Sequence, residues 1–161
     1  MSTNPYALVR VSGLRISTRR AVAFLRCDGN QQIDAMSVFD GLKKEREREL
    51  RERLDYWIDG GTHDKYFHGW PNNPVYKQCF VFKWKENRMC HRMYGFLIHP
   101  TPNLDASFQV CVLVSHASKA QWDTDIRELD GSKALSKDPL VIAAVAEEFP
   151  DSTKDRKKWL N

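Results

Sequence analysis

The strongest constraint on the fold lies in residues 77 to 116. From 77 to 85 side chains alternate, with Phe80, Phe82 and Trp84 on one side and Cys79, Val81, Lys83 and Lys85 on the other, the period of a strand with one wet end. Glu86, Asn87 and Arg88 interrupt the run. Two further apolar segments follow, 89 to 99 and 108 to 116, joined by Pro100-Thr101-Pro102-Asn103 and Asp105. The whole predicts a three-stranded antiparallel meander.

Around it, residues 20 to 27 (RAVAFLRC) predict another strand, ended by Asp28-Gly29-Asn30, and residues 6 to 16 a short strand pair or an extension broken at Ser12-Gly13. From 31 to 59 only Gly41 breaks helical continuity, and Ile33, Met36, Phe39, Leu42, Leu50, Leu54 and Trp57 keep roughly helical spacing up to Gly60-Gly61. The stretch 43 to 49 (KKERERE) reads as the solvated part of one long helix or as the corner between two, with a bend near Gly41. Its alternating signs fit pairing of Glu45 and Glu49 with arginines at helical spacing better than a nucleic-acid arm. The aromatic segment 62 to 75 predicts a loop, because Pro71 and Pro74 prevent regular structure. Asp123-Thr124-Asp125 starts one helix, and Asp138-Pro139 caps another that runs to Phe149.

These elements predict an α+β fold, in which a helix or helical hairpin packs on a twisted antiparallel sheet of about four strands, with C-terminal helices. A chain of 161 residues accommodates one core, so 1–150 reads as a single domain with 1–19 as an N-terminal extension, and 151–161 as a flexible basic tail. No apolar run approaches the roughly 20 residues of a membrane-spanning helix, and the N-terminus lacks the basic-then-apolar order of a secretory signal. The expectation is a cytoplasmic protein with no membrane partner. The four cysteines have no C-x-x-C spacing and sit in apolar runs, which predicts buried free thiols.

A net charge of +4 from 25 basic and 21 acidic residues does not by itself indicate nucleic acid, so position decides. A tight turn at Asn87-Arg88 places Lys83 opposite Arg92 and Lys85 opposite Cys90, on the face that carries Tyr94. Phe80, Phe82, Trp84, Met93 and Leu97 then gather on the other face, with His91 as their one polar neighbour. A slip of one residue would put Arg92 beside the aromatic row, where an unpaired guanidinium is expensive to desolvate. Clustered cations repel unless an anion visits, so the hairpin predicts a phosphate or carboxylate partner; ordinary lysines on a half-exposed strand are the plainer alternative.

The stretch KWKENRMCHRMYGFLI, followed by FQVCVLVSHASKAQWDTDI, resembles the RelE/HigB-like toxin superfamily. In that family a helical hairpin packs on an antiparallel sheet, and the protein cuts messenger RNA on the ribosome. Members carry two lysines separated by one residue, a short turn, then an arginine early in the next strand; Lys83, Lys85 and Arg92 match that spacing. The resemblance spans roughly residues 21 to 129 in element order. It implies cleavage of RNA by its own 2′-hydroxyl, without metal or other cofactor, with Lys83 or Lys85 and His116 as candidate proton-transfer groups and Arg92 and Lys119 as clamps on the charged phosphorane. Arg88 and Trp122 are further RNA-binding candidates, and the ribosome and a small antitoxin protein are implied partners. Tyr66, Phe67, Trp70 and Trp84 offer stacking surfaces near the hairpin, although core packing explains most aromatics.

No tyrosine or histidine follows Lys119 in the segment where some relatives of this kind keep an acid or base. That favours the alternative of a non-catalytic phage or mobile-element protein using the same sheet to bind a host protein or nucleic acid. His99 and His91 read as hydrogen-bonded strand residues. His63, Asp64, His68 and Cys79 meet no zinc spacing, and helix capping accounts for Asp123 and Asp125 more simply than a magnesium site built with Glu128 and Asp130.

Overall fold

The computed structural model describes residues 3–15, 17–103, 106–121 and 123–150. The chain runs β1 (Tyr6–Arg10), β2 (Arg20–Cys27), α1 (Ala35–Asp40), α2 (Lys44–Ile58), β3 (Phe67–Gly69), β4 (Cys79–Glu86), β5 (Met89–Ile98), β6 (Gln109–Lys119), α3 (Ile126–Lys137) and α4 (Pro139–Glu148).

The α+β class stands, but an antiparallel sheet of about four strands does not. The sheet has six strands in the order β1-β2-β6-β5-β4-β3, and β2 runs parallel to β6. Three features of the chain cause the difference. Apolar periodicity identifies a strand without naming its neighbour, and β2 lies beside a strand that returns in its own direction. Tyr6–Arg10, within the span read as a short strand pair or an extension, pairs with β2 from Tyr6↔Cys27 to Arg10↔Ala23 and forms one edge. Phe67–Gly69, inside the predicted loop, forms the other edge against β4, since both prolines lie beyond its end.

Helices cover both faces. On one, Phe24, Phe39, Leu50, Leu54, Trp57, Phe82, Trp84, Met93 and Leu113 form a core beneath α1 and α2. On the other, Leu25, Phe96, Val110, Val112, Val141 and Val145 pack beneath α4, and Val81 and Tyr94 meet Leu129 of α3. A central strand buried on both sides has no polar alternation, which is why β6, after Gln109, runs Val110-Cys111-Val112-Leu113-Val114. The segment 31 to 59 forms two helices separated at Gly41, and the charge run continues as α2, tied by Arg46–Glu49 and Arg53–Glu49 pairs, both 2.6 Å. Asp125 and Asp138 cap α3 and α4 through the backbone N–H groups of Arg127 and Leu140. All four cysteines are free, and Cys79, Cys90 and Cys111 are buried.

One irregularity orients the site. Tyr94 pairs with Ser115 but Gly95 pairs with Leu113, so Val114 is an extra, bulged residue of β6. Asp34 satisfies the backbone groups this frees: its N–H donates to the Val114 carbonyl at 3.1 Å, and its carboxylate accepts the His116 N–H at 3.1 Å. Opposite the bulge, a Cβ on Gly95 would run into the Val112 carbonyl and lie 3.1 Å from Leu113 Cα, backbone that cannot swing aside. Gly95→Ala is therefore expected to destabilise by about 3 kcal/mol and lower the thermal midpoint by roughly 6–12 °C. Gly131→Ala, with nothing within 4 Å of the new methyl, is expected to raise the midpoint slightly through helix propensity. Thermal melts of the two variants test both.

Candidate nucleic-acid interface

The β4–β5 hairpin takes the anticipated register. Asn87 and Arg88 form its two-residue tip with φ of 53° and 65°, Lys83 lies opposite Arg92, and Lys85 lies opposite Cys90. Those φ values belong to a turn whose twist matches the flanking strands.

Beyond Phe82 the pairing with β3 ends and the β4 edge opens. The Lys83 backbone N–H donates to the Tyr66 carbonyl at 2.9 Å, and its ammonium donates to the Asp64 carbonyl at 2.6 Å. Arg53 reaches this edge from α2. Its guanidinium lies 4.7 Å from the Tyr66 ring centroid, pairs with Glu49, and donates to the Lys83 carbonyl. Arg92, half-buried, donates to the Thr124 hydroxyl at 3.0 Å. Together these groups line an open cleft of about 570 Å³ bounded by Arg53, Asp64, Lys65, Lys83, Trp84, Lys85 and Arg92, five cations against one carboxylate. Burial and then the Arg92 charge push the Lys83 ammonium below its ordinary pKa, with Asp64 opposing.

Sequence reasoning missed Arg53 and Lys65. Arg53 belongs to a helix whose sign alternation looked like a solvated face, and Lys65 to a loop whose position depends on the unforeseen strand β3. His68, weighed in the sequence only against a zinc site, lies outside the lining of this cleft but near its cations: burial, then Lys83, then Arg92, push its pKa down.

The other candidates scatter. Lys119 shares the face of Lys85 and Arg92, opposite Cys90 and thus about 10 Å across the sheet from Lys85, and sits 3.8 Å from the Asp123 carboxylate. Arg88 is exposed at the hairpin tip, while Trp122 and the tail 151–161 lie outside the described residues. His116 is not brought to the cations. Regular alternation from Val112 would carry it to the face of Arg92; the Val114 bulge instead sets it opposite Met93, on the α2 side. There its Nε2 is 2.9 Å from His91 Nδ1, and both rings lie close to Trp84, His91 stacked at 5.1 Å and His116 tilted at 5.6 Å. Burial, then His91, push its pKa down to about 4. His99 makes a 2.8 Å hydrogen bond to the Phe108 carbonyl.

A more apolar recess of about 310 Å³ is lined by residues 10–15, 17, 20–22, Ile58 and Phe149, but its arginines are committed: Arg10 to Glu148, Arg15 to Asp59, and Arg20 to the Trp57 carbonyl. Among the described residues no group of three or more His, Cys, Asp or Glu is placed to hold a metal ion, and no helix is long and apolar enough to cross a membrane. No protein-family model, curated protein or solved structure matches the chain.

The His116 imidazole is harder to protonate in the folded protein than in the unfolded chain. As pH falls below 6.5 the unfolded chain takes up the proton first, so stability is full above that value and is lost down to about pH 4. His68 adds to this loss, whereas Asp34, its carboxyl shifted upward by burial, opposes it. His116→Gln is expected to flatten the acid limb in denaturant unfolding followed from about pH 7 to 4. An unchanged limb would assign the effect to other groups.

Proposed function

We propose that the protein is a RelE/HigB-like RNA-binding protein that grips phosphates of messenger RNA in the cation cleft, acting in the cytoplasm at the ribosome and held in check by a small antitoxin protein. The observation that carries this is the convergence of Arg53, Lys65, Lys83, Lys85 and Arg92 on one cleft. Phosphate oxygens accept from several such donors at once, and the negative charge they bring relieves the repulsion among the cations.

Cleavage would use the same groups. Lys83, whose ammonium gives up its proton more readily than an ordinary lysine, accepts the proton of the 2′-hydroxyl; the 2′-oxygen bonds to phosphorus, and the P–O5′ bond breaks. Arg92 clamps the charged phosphorane, and the ammonium of Lys85 protonates the departing 5′-oxygen. A second reading, binding without cleavage by a phage or mobile-element protein, is favoured by the placement of His116 on the opposite face.

Binding is tested by measuring RNA affinity against salt. Three phosphate contacts predict a log–log slope near −2 for single-stranded RNA, and Lys83→Ala or Arg92→Ala should each lower affinity and reduce the slope by about 0.7. A flat salt response in the wild type would point to a protein partner. Translation of a reporter message in vitro separates the two readings: cut transcript that persists in chelator and disappears with Arg92→Ala supports the enzyme, and intact transcript supports binding alone.

Arg88→Gly separates strain from contact. Relief of the left-handed φ should raise stability by about 1 kcal/mol, read as a higher thermal midpoint, while RNA affinity falls with the lost cation. Unchanged affinity would remove Arg88 from the interface.

A further inference from the structure

Next to the cation cleft, and sharing Asp64 with it, lies a second recess of about 270 Å³. Its apolar walls come from Phe67, Trp70, Pro71, Phe80 and Leu97, and His68 lines it as well. Gly69 helps keep it open, since a Cβ there would come within 3.2 Å of the Phe80 ring.

The aromatic groups around the cleft are not equivalent. Phe67 and Trp84 are core side chains, 7% and 1% exposed, and the Tyr66 ring is flanked by the Arg53 guanidinium at 4.7 Å and by His63 at 5.1 Å. Trp70 remains half-exposed at the recess, with His68 set edge-on to it at 4.7 Å. His68 also feels the charges of Lys83 and Arg92, which places the recess within electrostatic reach of the cations. A largely apolar recess beside a cationic cleft matches a nucleotide, whose base has an apolar face and whose phosphate is charged.

We propose that this recess takes the base of a nucleotide whose phosphate lies in the cation cleft, so that the occupant is single-stranded RNA with one base turned out of its stack. This rests on the assignment of the cleft to RNA and adds to it a subsite for one base. In an A-form duplex the bases are stacked and paired, and none reaches a slot of this kind.

The test compares three probes of equal length, about eight nucleotides, within the site size of such grooves: oligoadenylate, an abasic ribose-phosphate strand, and an RNA duplex. Wild type is expected to bind oligoadenylate about tenfold more tightly than the abasic strand, the scale of one stacked base, and more tightly than the duplex. Trp70→Ala should abolish the preference for oligoadenylate over the abasic strand while leaving the salt dependence of abasic-strand binding unchanged. Trp70→Phe, which keeps a ring and guards against loss of fold, should restore part of the preference. Equal wild-type affinity for oligoadenylate and the abasic strand would overturn the base site while leaving the phosphate cleft standing, as would a tenfold preference retained by Trp70→Ala. Failure of all three probes to bind would remove the RNA assignment itself, and the base site with it.

Discussion

The register of the β4–β5 hairpin is the constraint on which the rest depends. It buries Phe82, Trp84 and Met93 together on the α2 side, at 0%, 1% and 0% exposure. Burying a large apolar side chain is worth about 1.5–3 kcal/mol, so a one-residue slip of β5 would forfeit that for Met93 and drive Arg92 in beside Phe82 and Trp84, where desolvating an unpaired guanidinium costs about as much again or more. Against this stands the left-handed backbone of Arg88, which costs about 1 kcal/mol. Burial wins, and the meeting of Lys83 with Arg92 follows from core packing on the far side of the strands.

Holding those cations together is a separate problem, solved with neutral oxygens. The Lys83 ammonium donates to a backbone carbonyl, Arg92 to the Thr124 hydroxyl, and Arg53 to the Lys83 carbonyl. For Lys83 and Arg92 such acceptors satisfy N–H groups without cancelling charge, whereas the Arg53 charge is partly offset by Glu49 at 2.6 Å. Arg53 is further fixed between Glu49 and the Tyr66 ring. An anion entering here meets donors already oriented, which lowers the ordering cost of binding.

The hairpin, its turn, the strand Arg20–Cys27 and both capped C-terminal helices were legible because each is a local signal: alternation, turn chemistry, or an Asp–Pro start. Sheet order was not, because the parallel neighbour of β2 lies more than eighty residues away in sequence and no side chain advertises it. The short edge strand β3 was hidden for a related reason. Three residues show no periodicity, and their strand character comes only from pairing with β4. The cleft inherits this split. Lys83, Lys85 and Arg92 were visible as one spacing, whereas Arg53 and Lys65 enter only through tertiary packing.

The bulge at Val114 has the largest consequence for chemistry. One extra residue in β6 inverts the side on which His116 emerges, and Asp34 makes the inversion tolerable by pairing the carbonyl and N–H the bulge leaves open. The sheet then carries two unlike surfaces: a histidine pair against Trp84 on the α2 side, with burial holding His116 well below the ordinary imidazole pKa, and Lys83, Lys85 and Arg92 on the other. His116 thus serves the core as a flat ring, stabilised by staying uncharged, while a proton acceptor at the cleft would come from its lysines, from the Asp64 carboxylate or from a group supplied by what binds there. A lysine acting as base must shed its proton near neutral pH, and both burial and the adjacent Arg92 favour that for Lys83. A bound phosphate adds negative charge and pulls the same pKa back up, so cleavage requires a geometry in which Arg53 and Arg92 absorb most of the phosphate charge and leave the Lys83 amine facing the 2′-hydroxyl.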